Sequence, residues 1–96
     1  MRNKIISYLG FAQKSGNAVI GMDNILKKRR AYNLILICNS ASDRLKKEMS
    51  RFAEGKITLI AVDDLAELTN RNGCKAIGIT EPNLASAIIE QFRGSV

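Results

Sequence analysis

The chain has 96 residues, which is enough for one domain and too few for two independent hydrophobic cores. Its composition, 46% hydrophobic and 25% charged with seven glycines and one proline, is that of a globular protein and excludes disordered and collagen-like chains. It contains no histidine, which excludes histidine-dependent catalytic triads and most zinc sites. We therefore predict a single domain over residues 1–96 that uses no metal and no cofactor.

The two cysteines, Cys38 and Cys74, lie far apart and lack the C-x-x-C spacing of redox and zinc motifs. We expect both to be reduced and buried, as in a cytosolic protein. The longest apolar runs, Leu34–Cys38 and residues 57–62, are far shorter than the roughly 20 residues of a membrane span. The N-terminus also lacks the apolar stretch and cleavage site of a signal peptide. These features predict a cytoplasmic protein with no membrane partner, and we expect a monomer.

The net charge of +6 is distributed unevenly along the chain. Residues 1–51 hold eleven Lys and Arg against three acids, whereas residues 52–96 hold four against six. A protein that presents one basic side to a polyanion shows this kind of asymmetry. The charge pattern therefore favours a nucleic-acid partner, although charge alone does not select one.

In chain order, apolar residues at helical spacing first predict a helix over residues 5–12 that ends near Gly16. The short apolar run Ala18–Ile20 predicts an edge strand. Gly21 then opens a second helix, whose last turn contains four consecutive cations at 27–30. Leu34–Cys38 is apolar at every position, which predicts a strand buried on both faces of a parallel sheet.

The alternation of helix and strand continues in the second half of the chain. Ser40 and Asp43 have the spacing of a capping box, which predicts the start of a third helix. Residues 57–62 predict another buried strand. Asp63 or Asp64 follows this strand and is expected to cap a short fourth helix.

Ala76–Ile79 predicts the last strand, and Pro82 predicts the start of a fifth helix. The whole order predicts an α/β fold, a three-layer α/β/α sandwich with a mostly parallel four-stranded sheet. The carboxyl ends of parallel strands, where ligands bind in such sheets, would be Asn39, Asp63 and Thr80. The sequence contains no glycine-rich phosphate loop and no nucleophile with an adjacent base, so we predict that the protein is not an enzyme.

The features suited to RNA lie in the second helix. Gly21 opens it, so that the first-turn N–H groups are available to a phosphate or a base edge. Asp23 and Asn24 offer a carboxylate and an amide for base edges, and Lys27 and Lys28 offer charge for phosphates. Five Phe and Tyr in the whole chain are too few for a base-stacking platform. This arrangement favours a shaped RNA with a distorted backbone.

Four short sequence segments, taken together, resemble the pattern of a known protein family. Residues 11–21 read FAQKSGNAVIG, residues 39–47 read NSASDRLKK, residues 65–66 read LA, and residues 76–80 read AIGIT. In this order and spacing they resemble the ribosomal L-seven-Ae and L-thirty-e family of kink-turn RNA-binding proteins, especially its small bacterial members. In those bacterial members, the stretch that corresponds to the first segment often reads leu-gly-leu-ala-x-x-ala-gly-lys-x-x-x-gly. The resemblance extends over nearly the whole chain.

The resemblance implies an α/β/α sandwich that binds kink-turn RNA, a bent helix with tandem sheared G·A pairs. Family members contact those pairs with the first turn of the second helix, here residues 21–27. They clasp the bulged nucleotides with the loop before the last strand, here residues 70–74. Where the strict pattern reads gly-x-asn-glu-x-x-lys, this chain has Gly21, Asp23, Asn24 and Lys27, so the acid and the amide are exchanged in order.

We therefore predict a non-catalytic RNA-binding protein associated with the ribosome or with translation, whose partner is a structured RNA such as ribosomal or kink-turn RNA. The predicted RNA-binding residues form one composite surface: Lys14, Gly21, Met22, Asp23, Asn24, Lys27, Lys28, Asn70, Arg71, Asn72 and Gly73. Two alternatives stay open. One is a protein-interaction module in which the basic face of the third helix meets an acidic partner. The other is an enzyme or nucleotide binder at Asn39, Asp63 and Thr80.

Overall fold

A computed structural model describes residues 2–28 and 31–93, so Arg29 and Arg30 of the cationic run at 27–30 lie outside the described residues. The helices are α1 (Arg2–Lys14), α2 (Met22–Lys28), α3 (Asp43–Ala53), α4 (Leu65–Thr69) and α5 (Pro82–Arg93). The strands are β1 (Ala18–Ile20), β2 (Leu34–Cys38), β3 (Thr58–Val62) and β4 (Ala76–Ile79). This is the predicted alternation of an α/β protein. Within the described ranges, no helix has the length and apolar character needed to cross a membrane.

The four strands form one mixed sheet in the order β1-β4-β2-β3. Strands β2 and β3 are parallel, with Leu34 opposite Thr58, whereas β4 is antiparallel to both of its neighbours. The prediction of a mostly parallel sheet is therefore wrong. A central strand covered by helices is apolar at every position whatever its direction, and all four residues of β4 are buried in this way. The apolar pattern predicted the strand but carried no information about its direction.

Apolar side chains pack into two clusters, one on each face of the sheet. In β2, Leu34 and Leu36 belong to the first cluster, and Ile35 and Ile37 belong to the second, as expected for alternating side chains. Residues of α1, α4 and α5 complete the first cluster, and residues of α2 and α3 complete the second. The prediction that Leu34–Cys38 is buried on both faces is confirmed.

Strand β3 differs from the predicted buried strand at 57–62. It begins at Thr58 and lies at the edge of the sheet, and its residues Thr58 and Ala61 are exposed. An edge strand has a neighbour on one side only, so its side chains are less completely covered. Strand β1 is also an edge strand, as predicted.

The predicted helix caps are correct in part. Helix α3 begins after Ser42, whose Oγ accepts a hydrogen bond from Leu45 N at 3.2 Å, and not after Ser40. The chain first makes a turn over residues 38–41, and this turn delays the helix by two residues. Asp64 lies at the N-cap of α4 but has a left-handed backbone with φ of 55° and makes no side-chain cap bond to the described residues. Helix α5 begins at Pro82, as predicted.

Both cysteines are buried and free, in agreement with the sequence prediction. Cys38 is 7% exposed and Cys74 is 5% exposed, and both pack into the first cluster. Their burial makes them part of the core beneath the end of the sheet at which β2 finishes.

Candidate nucleic-acid interface

The antiparallel strand β4 brings two distant segments of the chain together. Because β4 is antiparallel to β1, the residue after β1 lies beside the start of β4, and Gly21 N donates to Ala76 O at 2.9 Å. Because β4 is also antiparallel to β2, Cys38 N at the end of β2 donates to Lys75 O at 2.9 Å. The loop before β4 therefore borders the first turn of α2. A parallel β4 would have placed this loop at the opposite end of the strands.

The two segments line a groove of about 510 Å³, which we call the central groove. Its lining comes from the end of β1, the start of α2, the loop before β4 and one residue of α3: Ile20, Gly21, Met22, Asp23, Asn24, Leu45, Arg71, Asn72, Gly73, Cys74 and Lys75. Seven predicted RNA-binding residues are among them: Gly21, Met22, Asp23, Asn24, Arg71, Asn72 and Gly73. The structure thus brings together most of the predicted composite surface.

The charged side chains of the central groove are one carboxylate and two cations. Asp23, Arg71 and Lys75 are all exposed, so each remains solvated until a ligand covers it. Lys75 lies at the rim, where its Nζ donates to Ser40 Oγ at 2.8 Å. Sequence reasoning missed Lys75, although it directly follows the predicted loop. The groove combines a hydrogen-bond acceptor with positive charge, which suits a ligand that carries both base edges and phosphates.

The start of α2 is shaped by Gly21 and Asn24. Gly21 has φ of 91°, a left-handed conformation that favours glycine and leaves the main chain bare at the groove. Asn24 Nδ2 donates to Ile20 O at 2.8 Å, so this amide holds the turn that leads into α2. Asn24 therefore has a structural role in addition to the base-edge role predicted for it.

A second hollow of about 370 Å³, which we call the α1 depression, shares Arg71 with the central groove. Its lining residues are Gly10, Gln13, Lys14, Thr69, Asn70 and Arg71. Two further predicted residues, Lys14 and Asn70, lie here and not in the central groove. Lys27 and Lys28 are exposed on the last turn of α2 and are not among the residues that line either hollow.

Arg71 is held at the boundary between the two hollows by Gln13. Arg71 Nε donates to Gln13 Oε1 at 2.6 Å, and Gln13 Nε2 donates to Thr69 O at 3.0 Å. Both ends of one amide group are used, so its orientation is fixed and it fixes the guanidinium in turn. Sequence reasoning did not single out Gln13, because nothing in the sequence pairs it with a loop 58 residues away.

A third hollow, of about 450 Å³, contains both cysteines, and Ser40 and Lys75 also line it. Cys38 Sγ lies 3.1 Å from Ser40 Oγ. This hydrogen bond lowers the pKa of the Cys38 thiol below its ordinary value, against the opposing effect of burial, and the Lys75 charge acts in the same direction. Among the described residues, no three Cys, Asp or Glu side chains are grouped as metal ligands.

The three residues of the alternative enzyme or nucleotide site do not all come together. Asn39 Nδ2 donates to Asp63 Oδ1 at 2.7 Å where β2 and β3 end. Thr80, in contrast, lies beside the start of β2, where Asn33 Nδ2 donates to Thr80 O at 2.9 Å. The reason is that β4 is antiparallel to β2, so the carboxyl end of β4 lies at the opposite end of the strands from the carboxyl end of β2.

No family model matches the sequence. No curated protein is similar to it at a significant level. Among solved structures, a protein of unknown function from Bacillus halodurans C has a similar fold, with a TM-score of 0.83 and 17% sequence identity. The match covers 94% of this chain and 97% of that chain. At this level of identity the likeness shows the fold alone, a mixed α/β domain with a four-stranded sheet.

Proposed function

We propose that the protein is a non-catalytic RNA-binding protein that recognises a structured RNA of the kink-turn type on an α/β/α sandwich similar to the ribosomal L-seven-Ae family. The central groove supports this proposal. The sequence resemblance implies that the start of the second helix acts together with the loop before the last strand, and these two segments line one groove. We further propose that the RNA is ribosomal or translation-associated and that the protein acts in the cytoplasm.

The chemistry of the groove suggests a role for each group. Bare main chain at Gly21 permits close approach of the RNA, because no side chain stands between them. The Asp23 carboxylate accepts hydrogen bonds from guanine N1–H and N2–H, which are partly free in a sheared G·A pair and engaged in a Watson–Crick pair. Arg71 and Lys75 bind phosphates, and such contacts orient the RNA without reading its sequence.

Two substitutions measured on two RNAs test the proposal. Asp23→Ala should weaken binding to an RNA with tandem G·A pairs by about 1–3 kcal/mol, the magnitude of a good base-edge contact. The same variant should bind plain duplex RNA equally well or slightly better, because there the carboxylate only repels phosphate. Lys75→Ala should weaken both RNAs by similar factors, because Lys75 lines the central groove and a phosphate contact carries no sequence information. Filter binding at one salt concentration gives all four values.

The control is the ratio of the two affinities in the unsubstituted protein. If that protein binds tandem G·A RNA no better than duplex RNA, specific recognition is wrong. If Asp23→Ala improves both affinities equally, the base-reading role of Asp23 is wrong and the protein acts only as a basic surface.

A second candidate function is binding to an acidic protein through α3. Arg44, Lys47 and Arg51 are exposed at positions i, i+3 and i+7 and therefore share one face of this helix. Arg44 is paired with Glu48 at 3.0 Å, so part of this charge is already balanced. RNA that copurifies with the protein and is removed by high salt favours the first function. Charge reversal at Lys47 and Arg51 that leaves RNA affinity unchanged but abolishes a protein contact favours the second.

A further inference from the structure

Gly10 occupies a helical position at which the packing of the protein itself does not require glycine. It lies in the interior of α1, where glycine costs about 0.5–1 kcal/mol relative to alanine. A Cβ at position 10 would meet no atom of the described residues within 4 Å, and Gly10 is not among the glycines with positive φ. Neither close packing nor backbone conformation accounts for the glycine. Gly10 does line the α1 depression, where a bare helix surface leaves room for a ligand.

The α1 depression carries two cationic side chains, Lys14 and Arg71. The bond to Gln13 uses Nε of Arg71, so the terminal guanidinium nitrogens are the ones suited to a phosphate. Gln13 itself uses both ends of its amide, to Arg71 and to Thr69, and is therefore a positioning residue for the guanidinium. A guanidinium that is already held in place loses less side-chain entropy when it binds an anion.

We propose that the α1 depression is a second RNA subsite, which takes one phosphate and its ribose from the strand that leaves the central groove. This inference rests on the proposed function. Arg71 lines both hollows, so a strand that passes over it from the central groove arrives at Lys14 and at the bare surface of Gly10. The occupant is backbone and not a base, because the described lining offers cations and no aromatic ring.

Gly10→Ala and Gly10→Leu test the subsite, because stability and binding should change in opposite directions. Both residues have a higher helix propensity than glycine, so each variant should melt at a higher temperature than the unsubstituted protein. Each should also bind the tandem G·A RNA more weakly, with a several-fold loss for alanine and a loss of tenfold or more for leucine, whose larger side chain would project into the depression. The slope of log K against log salt should become about one unit shallower for Gly10→Leu. Ser7→Ala, at an exposed position of the same helix outside the lining, should leave RNA affinity unchanged.

Gln13→Met provides a second test that does not add volume at Gly10. This variant removes both hydrogen bonds of the Gln13 side-chain amide. It should weaken RNA binding severalfold in the otherwise unsubstituted protein. In an Arg71→Ala background the same substitution should have no further effect, because Gln13 acts only through Arg71. An independent, additive loss in that background overturns the positioning role.

The outcomes separate this inference from the proposed function. If the unsubstituted protein prefers tandem G·A RNA while Gly10→Leu binds it with unchanged affinity, the subsite is wrong and the proposed function stands. If the unsubstituted protein shows no such preference, the proposed function fails first and the subsite fails with it.

Discussion

The ring of Tyr32 lies against Gly78 in the central strand β4, so closely that a Cβ at position 78 would be 2.7 Å from Tyr32 Cδ1. The same Cβ would be 3.5 Å from Cγ1 of Ile25 on α2. Tyr32 Oη also donates to Ile25 O at 3.2 Å, so the tyrosine joins the sheet to α2. Because α2 carries one wall of the central groove, the missing side chain of Gly78 helps to set the position of that wall.

Gly78→Ala should therefore destabilise the protein by about 1–3 kcal/mol, the usual cost of overpacking a core. Tyr32 is 5% exposed and Ile25 is fully buried, so neither side chain has room to move away from an added methyl group. Urea denaturation followed by circular dichroism gives the free energy of unfolding. Gly10→Ala is the matched control, because the same chemical change there meets open space and should stabilise the protein. Equal shifts in the two variants would contradict the packing explanation.

Tyr32→Phe should lower the free energy of unfolding by about 0.5–1.5 kcal/mol, the net contribution of one typical hydrogen bond. The substitution keeps the ring, which also contacts Phe52 with the centroids 6.0 Å apart, and removes only the hydroxyl that donates to Ile25 O. The measurement is again urea denaturation, with an unchanged dependence on urea concentration as the sign that the fold is intact. Unchanged stability would show that the bond to Ile25 contributes nothing.

Sequence periodicity was sufficient to predict the elements of this fold. Leu34–Cys38 is apolar at every position because helices cover both faces of β2, and Pro82 is suited to the first turn of α5. The direction of β4 could not be predicted, because Ala76–Ile79 would be equally apolar in either direction. The direction of β4 determines whether the candidate site forms, because only an antiparallel β4 places the loop before it beside Gly21.

The contacts that hold the candidate site were also beyond prediction from sequence. Lys14, Asp23 and Arg71 were predicted from residue type and from family resemblance, which identify chemistry but not neighbours. The pairing of Gln13 with Arg71 depends on the packing of α1 beside α4, and no local pattern encodes it. The contact of Lys75 with Ser40 depends likewise on tertiary structure, namely on the antiparallel pairing of β2 with β4.

The Cys38 thiol should be alkylated with a pH midpoint below that of an ordinary cysteine. The hydrogen bond with Ser40 stabilises the thiolate, so Ser40→Ala should raise the pKa and move the midpoint to higher pH. Lys75→Met should move it in the same direction by a smaller amount, because the Lys75 charge is the weaker cause. A pH series of iodoacetamide labelling in a Cys74→Ala background, measured by mass spectrometry, reports Cys38 alone.

The sign of this effect also fixes its link to stability. A thiol whose pKa is lower in the folded state than in the unfolded state stabilises the fold above the unfolded pKa. That contribution is lost as the pH falls through the folded pKa. Ser40→Ala should therefore reduce stability more in alkaline than in neutral buffer. A loss that is the same at both pH values would mean that Ser40 acts on the fold and not on the thiolate.

RNA binding should weaken steeply with salt if phosphates supply most of the affinity. Each phosphate neutralised on a duplex contributes about −0.9 to the slope of log K against log salt, so three to five contacts weaken binding about 40- to 500-fold between 50 and 200 mM salt. Lys75→Met should make the slope shallower by about 0.9, because Lys75 lies at the rim of the central groove. Lys56→Met removes the same charge at an exposed position outside that groove and should leave the slope unchanged. Equal changes in slope for the two variants would show that the RNA responds to overall charge and does not occupy the groove.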